Sequence, residues 1–258
     1  MFDPFAALDR LRSRPPGRAT MLQTWKQLTF LHWAVEPDAL QERLPPGLEA
    51  DILGGVSYVS FVPFTMVGIR KPGVPPVPWV SAFHEWNLRT YVTGPHGPGV
   101  WFFSLEAANP LAVLIARKWF KLPYHFAKMT MESGNRSTTY SSSRIWPEPI
   151  SSLSRVKSTW AGEPSRAVLG SLEFWLLERY LLYSRDARGL LSARVHHEPY
   201  RFSPASLVEL ELDIPRAQGF ADLKDPLAAV QFVPQVDVEI FAPRRVSDLG
   251  LVSPRLSG

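Results

Sequence analysis

The 258-residue chain contains no cysteine, which excludes disulfides, thiolate nucleophiles and iron–sulfur clusters. Hydrophobic residues make up 45% of it and charged residues 20%, the profile of a folded globular protein and not of a disordered one. The formal net charge is +4, the basic residues form no long run and no nucleic-acid-binding motif occurs, so we expect no nucleic-acid partner.

The N-terminal region lacks the apolar core of a signal peptide. Arg10, Arg12 and Arg14 interrupt its first segment. The longest apolar runs, such as residues 111–116, are too short to span a bilayer. A soluble cytoplasmic protein with no membrane contact is the simplest expectation.

Residues 1–20 are predicted to form a helical or flexible N-terminal extension. Phe5, Leu8 and Leu11 would share one side of a short helix, which the Pro-Pro-Gly turn at residues 15–17 ends.

Most of the remaining sequence has the alternation and turn residues of β-strands, and only short stretches have helical signals. The predicted strands are residues 23–35, 48–53, 56–69, 83–93, 99–107, 124–132, 137–145, 154–160, 190–197, 207–214 and 235–241. The predicted helices are residues 37–44, 109–120 and 171–179. The proline-rich segment 71–78 is predicted to be an extended loop, either a rigid connector or a lid.

Many antiparallel strands with a few short helices indicate an α+β, mainly antiparallel β fold. No repeat or long linker divides the chain. Residues 21–245 are therefore expected to form one domain, followed by a flexible C-terminal tail at residues 246–258.

One predicted strand, FHEWNLRTYV at residues 83–92, concentrates polar side chains on one face. Strand alternation puts Glu85, Asn87, Arg89 and Tyr91 on the same side. Inside a barrel this face would bind a ligand, whereas on the outer surface Glu85 and Arg89 would form a weak ion pair. Spacing alone leaves both interpretations open.

This strand and the segment ARKWFKLPYHFAKM at residues 116–129 resemble the active-site framework of the acetoacetate decarboxylase-like superfamily. In those enzymes a Gly-Arg-Glu stretch leads to Tyr-Pro-Lys-Lys, and the first of the two lysines forms a Schiff base with a keto acid. Here Tyr124 and His125 follow Pro123 instead. The resemblance implies a closed, cone-shaped β-barrel with a few short helices outside it.

A closer resemblance is to the YqjF-like bacterial family, a domain of unknown function grouped with the same fold. It rests on eight motifs in order: QTWKQLTFLHW (23–33), LPPGLEAD (44–51), VPF (62–64), FHEWNLRTYV (83–92), GVWFFSLEA (99–107), LPY (122–124), LERYLLY (177–183) and VHHEPY (195–200).

The resemblance also implies roles for individual residues. Glu85 falls where the decarboxylases have an active-site glutamate, which favours an inward orientation of its strand face. Arg117 corresponds to the arginine of the Gly-Arg-Glu stretch and would recognise a carboxylate, unless it is solvated on a helix surface. The predicted catalytic residues are Glu85, Tyr124 and His125, and the predicted ligand-binding residues are Asn87, Arg89, Tyr91 and Arg117.

A phenol and an imidazole cannot form the imine that Schiff-base decarboxylation requires. Tyr124 could instead donate a hydrogen bond to a developing oxyanion, and His125 could transfer protons near neutral pH. Because neighbours on a strand point to opposite faces, only one of them is expected to face the pocket. If the framework is kept, that residue is Tyr124.

Other site types lack support in the sequence. His196 and His197 diverge on a strand and have no third ligand at a useful spacing, so no metal site is predicted. No P-loop, Gly-x-Gly-x-x-Gly, Gly-x-Ser-x-Gly or His-Glu-x-x-His pattern occurs, and no cofactor is expected.

Three functions remain open. The chain could bind a small oxo or carboxylic acid without turnover. It could be an enzyme of altered mechanism that catalyses enolisation, hydration, dehydration or lactone opening through Glu85 with Tyr124 or His125. It could also be an interaction module without a ligand. A small-molecule partner is expected, and the sequence leaves homo-oligomerisation open.

Overall fold

The computed structural model describes residues 4–149, 153–220, 223 and 227–246. The predicted C-terminal tail lies outside the described residues except for Val246. No helix in the described ranges is long and apolar enough to cross a membrane.

Strands dominate the described chain, and five short helices accompany them. In chain order these elements are α1 (Pro4–Leu11), β1 (Met21–Val35), α2 (Pro37–Gln41), β2 (Glu49–Ala50), β3 (Ser57–Arg70), β4 (Phe83–Gly94), β5 (Gly97–Ala107), α3 (Pro110–Trp119), β6 (Tyr124–Gly134), β7 (Ser137–Trp146), β8 (Ser154–Trp160), β9 (Ser165–Arg166), α4 (Leu172–Leu177), β10 (Leu181–Asp186), β11 (Gly189–His197), β12 (Arg201–Glu211), α5 (Ile214–Ala217), β13 (Ala229–Ile240) and β14 (Arg244–Arg245).

Local sequence signals explain how several helices begin. The side chain of Asn109 accepts a hydrogen bond from the amide of Ala112 and caps α3, and Ser171 caps α4 in the same way through Phe174. The predicted helices α1 to α4 are confirmed, with boundaries that differ by a few residues.

Several strand predictions differ from the structure. The strand expected at residues 207–214 instead spans 201–211, because Pro215 occupies the first turn of α5 and a proline there favours a helix start. Residues 181–186 form β10, which was not predicted. The strand expected at residues 48–53 is reduced to the two residues of β2.

Five antiparallel strands, in the order β13-β1-β3-β4-β5, form a central sheet that forks at both edges. The first half of β5 pairs in parallel with β10, and its last residues pair in parallel with β6. Similarly, β13 pairs with β12 near its start and with β11 near its end. The fold is therefore α+β and mainly antiparallel β, as predicted.

The fork closes two rings of strands over opposite faces of the central sheet. In the first ring, β10 and β11 connect β5 back to β13. In the second ring, β6, β7, β8 and β12 make the same connection. The central strands thus have little solvent-facing surface, and every residue of β4 from Glu85 to Val92 is buried.

Alternation sends neighbouring residues of the central strands into different rings. On β4, Phe83 and Tyr91 join the hydrophobic core of the first ring, whereas Trp86 and Leu88 join that of the second. Closure of the first ring also requires a glycine, because a Cβ atom on Gly99 would lie 2.6 Å from the carbonyl oxygen of Leu181.

Leu88→Ala is expected to lower the free energy of unfolding by about 2–5 kcal/mol, because it leaves a cavity between the central sheet and the second ring. Leu88 is fully buried. The matched control, Leu111→Ala on the exposed side of α3, is expected to change stability by less than about 0.5 kcal/mol. Urea unfolding of both variants measures the difference, and equal losses would contradict the two-faced burial of β4.

Candidate functional site

A cavity of about 190 Å³ lies within the first ring. Residues of β1, β3, β4, β5, β10, β11 and β13 and the first residue of β6 line it, and Ala112, Ile115 and Ala116 of α3 lie along one part. Most of the lining is aliphatic or aromatic. The few polar residues in the lining are Gln23, Glu85, Asn87, Arg89, Tyr124, Arg179 and Tyr200. A mostly apolar cavity with a small number of polar groups is the usual form of a small-molecule site.

The polar face of β4 points into this cavity. Glu85 is 3% exposed, and Asn87 and Arg89 are each 7% exposed. All three residues line the cavity, so the interpretation of Glu85 and Arg89 as an outer-surface ion pair is wrong. A carboxyl group, an amide and a guanidinium therefore follow one another along one wall.

Glu85 and Tyr124 form a hydrogen-bonded pair at this wall. The hydroxyl of Tyr124 donates to Oε2 of Glu85 over 2.9 Å. Burial raises the pKa of Glu85 to about 8, and the negative charge of Glu106 adds to this effect, while the hydrogen bond from Tyr124 opposes it. Burial also raises the pKa of Tyr124 well above its ordinary value, and the nearby Glu85 contributes.

The raised pKa determines what this pair can do. At pH 7 most Glu85 side chains carry a proton, and a modest rise in pH converts them to carboxylates. A group with a pKa close to the working pH can both donate and accept protons efficiently. Glu85 can thus donate a hydrogen bond to a carbonyl oxygen or, when ionised, accept a proton.

His125 lies on the opposite face of the sheet from the cavity. Its Nδ1 is 3.3 Å from Oγ of Ser104 and 3.9 Å from the carboxylate of Glu106, which is paired with Arg144. Burial lowers the pKa of His125 to about 4, with contributions from the positive charges of Arg144 and Arg117. The structure does not bring the predicted catalytic His125 to the cavity that Tyr124 lines.

Arg117 supports β6 instead of lining the cavity. Its guanidinium donates to the backbone carbonyl of Tyr124 over 2.6 Å and lies 5.5 Å from the ring of Trp146. Arg117 therefore does not line the cavity, and its predicted contact with a ligand carboxylate is not seen in the structure. The residue holds in place the backbone that carries Tyr124.

Tyr91 is buried outside the cavity lining, and its hydroxyl belongs to a hydrogen-bonded group. Its hydroxyl lies 2.6 Å from Oγ of Ser60 and 3.0 Å from Nδ1 of His32. Burial lowers the pKa of His32 to about 3, so its imidazole is neutral at physiological pH. Tyr91 is not among the lining residues, and its predicted role as a ligand contact becomes one of support.

Arg179 lines the cavity, although it was not among the predicted site residues. From the sequence, residues 178–180 of the LERYLLY motif were as compatible with a buried hydrogen-bonded network as with a site. Arg179 donates to Asp51 over 2.6 Å, and its guanidinium lies 4.2 Å from the ring of Trp175 and 4.7 Å from that of Tyr91. Tyr200, from the VHHEPY motif, also lines the cavity and was missed.

The side chain of Arg89 has no hydrogen-bond or ion-pair partner among the described residues. Its Nε and Nη2 atoms are both buried and unpaired. The rings of Phe30 and Tyr91 lie 5.3 and 5.8 Å from its guanidinium carbon. Nearby, Oδ1 of Asn87 is also buried without a partner.

The two adjacent histidines occupy separate environments. His197 is buried, stacks on the ring of Tyr180 and packs at a tilt against the ring of Tyr200, whereas His196 is partly exposed. Within the described ranges, no three His, Asp or Glu side chains are grouped closely enough to hold a metal ion.

The chain belongs to the DUF2071 family, described as an uncharacterized conserved protein, which matches residues 22–237. It is 38% identical to the uncharacterized protein YqjF of Bacillus subtilis over 188 residues, which are 73% of this chain and 77% of that protein. The predicted membership of the YqjF-like family is confirmed.

Solved structures show the same fold. The enduracididine biosynthesis enzyme MppR in complex with pyruvate has a TM-score of 0.60 at 13% identity and 92% coverage of each chain. Acetoacetate decarboxylase from Legionella pneumophila has a TM-score of 0.59 at 15% identity, covering 92% of this chain and 96% of that one. The predicted acetoacetate decarboxylase-like fold is confirmed, and at these identities the likeness concerns the fold alone.

We expect the wild-type protein to lose stability as pH rises, and we expect Glu85→Gln to reduce that loss. Between the ordinary pKa of 4.5 and about 8, the unfolded chain has released the Glu85 proton while the folded chain retains it. Rising pH therefore favours unfolding through this group, and glutamine removes that contribution.

Urea unfolding at pH 5.5, 7 and 8 measures the effect as a difference in slope between variant and wild type. Glu132→Gln, at an exposed position of β6, serves as the matched control and should follow the wild-type slope. Identical slopes for wild type and Glu85→Gln would show that Glu85 is not held protonated.

Proposed function

We propose that this protein binds a small carbonyl or carboxylate compound in the cavity of the first ring, without a Schiff-base lysine. The Glu85–Tyr124 pair would hold the carbonyl oxygen, and Asn87 and Arg89 would contact other polar atoms of the ligand. The apolar lining would cover the rest of its surface.

The observation that carries this proposal is the Glu85–Tyr124 hydrogen bond inside a mostly apolar cavity. Polar groups buried without a ligand are costly, and each further hydrogen bond they make with one is worth about 0.5–1.5 kcal/mol. Because Tyr124 donates its one proton to Glu85, the protonated carboxyl of Glu85 keeps one donor free for the carbonyl oxygen of a ligand.

The solved structures with the same fold support this class of ligand. MppR was solved with pyruvate and with the condensation product of pyruvate and imidazole 4-carboxaldehyde. These ligands belong to that protein. By analogy of fold, they favour an oxo compound over other small molecules for the cavity of this chain.

The absence of a lysine from the cavity lining supports a non-covalent complex. Tyr124 stands where the decarboxylases have the Schiff-base lysine, and none of the lining residues described is a lysine. Lys121 and Lys128, the nearest lysines in sequence, are exposed. Imine formation with a ligand in this cavity therefore lacks an amine.

An enzyme of altered mechanism is the second candidate, and the pKa of Glu85, about 8, favours it. In enolisation, the Glu85 carboxylate would take a proton from the carbon next to the carbonyl, and that C–H electron pair would form the enolate. As Glu85 takes up the proton, the hydroxyl of Tyr124 would turn from Glu85 to donate its hydrogen bond to the developing oxyanion. The version of this mechanism that uses His125 is disfavoured, because His125 lies across the sheet.

An interaction module without a ligand is disfavoured by the cavity. Such a module would fill its ring with aromatic side chains and leave room for no more than a few waters. The cavity of about 190 Å³ exceeds the share of six water molecules at about 30 Å³ each.

Tyr124→Phe is expected to weaken ligand binding about three- to tenfold, because it removes one buried hydrogen bond. Calorimetry with a panel of small oxo acids and ketones measures the change. Tyr140→Phe is the matched control, since Tyr140 is buried on the side of the second ring and does not line the cavity. It should bind the same compounds as the wild type.

Two results would contradict the binding proposal. The first is failure of every compound in the panel to bind the wild-type protein. The second is a lysine adduct in the intact mass after incubation with the panel and reduction with borohydride, which would mean that an amine reacts after all.

If the protein is an enolising enzyme, it should exchange the protons next to the carbonyl of a bound ketone for deuterium. Glu85→Gln is then expected to slow this exchange by about 10²- to 10⁴-fold, the usual contribution of a general base. Proton NMR in D₂O follows the exchange. No acceleration by the wild-type protein would remove this candidate and leave binding alone.

A further inference from the structure

The charge inventory of the cavity leaves Arg89 unbalanced. Three lining residues can carry charge: Glu85, Arg89 and Arg179. Arg179 is paired with Asp51, and burial raises the pKa of Glu85 to about 8, which favours its neutral form at pH 7. Among the described residues, no carboxylate pairs with Arg89. The cavity therefore contains one buried guanidinium that the protein itself does not neutralise.

A buried charge without a partner is unfavourable, and arginine does not escape the cost by releasing its proton. The contacts of Arg89 with the rings of Phe30 and Tyr91 compensate only in part, since a cation–π contact is worth about 0.5–2 kcal/mol. A ligand carboxylate would supply both the missing negative charge and acceptors for the unpaired Nε and Nη2 atoms.

Arg89 lies at the inner end of the cavity. Along β1, the lining residues change from partly exposed at Met21 and Trp25 to buried at Leu28 and Phe30. The ring of Phe30 is the one that packs against Arg89. A carboxylate at Arg89 would therefore be the part of the ligand that enters first.

Glu85 lies nearer the outer end on the same strand. The register runs from Trp25 on β1 through Met66 on β3 to Phe83 on β4, which places the start of β4 beside the partly exposed residues. Four residues of strand separate Glu85 from Arg89, a rise of about 13 Å between their Cα atoms. The anion subsite and the carbonyl subsite are thus distinct positions along the cavity.

This separation restricts the ligand. In a 2-oxo acid the carbonyl carbon is bonded directly to the carboxylate carbon, so one molecule cannot reach both subsites. After allowance for the reach of the two side chains, a chain of about four methylene groups between the carboxylate and the carbonyl fits the strand rise. The cavity of about 190 Å³ agrees, because a cavity of about 150 Å³ holds benzene.

We infer that the cavity selects an elongated, singly charged oxo acid whose carboxylate binds Arg89 and whose distant carbonyl binds the Glu85–Tyr124 pair. This inference rests on the proposed function and specifies its ligand. The aliphatic chain between the two groups lies against the apolar walls, and Asn87 is positioned between the subsites.

The test compares three seven-carbon compounds by calorimetry on the wild-type protein: 6-oxoheptanoate, its isomer 2-oxoheptanoate and the neutral ketone 2-heptanone. We expect 6-oxoheptanoate to bind at least about tenfold more tightly than 2-heptanone, because only the acid pairs with the guanidinium. It should also bind about three- to tenfold more tightly than 2-oxoheptanoate, which can satisfy only one subsite.

Arg89→Met should remove the preference for the acid over the ketone. Arg188→Met is the matched control at an exposed position outside the cavity, and it should retain the wild-type preference. If Arg89→Met fails to fold, the comparison of acid and ketone on the wild-type protein still decides the question.

The remaining outcomes separate this inference from the proposed function. Equal affinity for 6-oxoheptanoate and 2-heptanone would overturn the carboxylate subsite and leave carbonyl binding intact. Tighter binding of 2-oxoheptanoate than of 6-oxoheptanoate would overturn the elongated ligand. Binding of none of the three compounds would overturn this inference, and failure of the broader oxo-acid panel as well would overturn the proposed function.

Discussion

Two rings of strands close over opposite faces of one central sheet, and the strands of that sheet consequently have almost no side left for solvent. This constraint acts most strongly on β4, where eight consecutive residues from Glu85 to Val92 are buried. In a sheet with one wet face, its polar residues would alternate outward into water. Here they must lie inside the protein, and the carboxyl, amide and guanidinium groups of Glu85, Asn87 and Arg89 become the wall of a cavity.

The same sheet separates two polar groups that are close in sequence. Tyr124 faces the cavity and pairs with Glu85, whereas His125 faces the second ring with Ser104 and the Glu106–Arg144 ion pair. The two residues after Pro123 are thus a cavity hydroxyl and an imidazole that burial keeps neutral. The protein's likeness to known structures is informative about its fold and not about a reaction.

Strand alternation was sufficient to place Glu85, Asn87 and Arg89 on one face, and to predict that Tyr124 and His125 point to opposite faces. The sequence could not show whether that face points into the protein or toward solvent. The answer depends on the pairing of β5 and β13 with strands that are distant in sequence and that close both rings. The role of Arg179 was left undecided for the same reason: it follows α4 and lies ninety residues after Arg89 in the chain. The error at residues 207–214 had a local cause, since the strand-like alternation continues to Pro215 while the backbone has already turned into α5.

The central claim is that closure of the first ring desolvates Glu85 enough to keep it protonated near neutral pH. Titration of the side-chain carboxyl carbons by ¹³C NMR tests it directly, with the Glu85 resonance assigned by its loss in Glu85→Gln. We predict a midpoint of about 8 for this resonance. A midpoint near the ordinary value of 4.5 would mean that the cavity is wet and that Glu85 is ionised, which would contradict this account of the site.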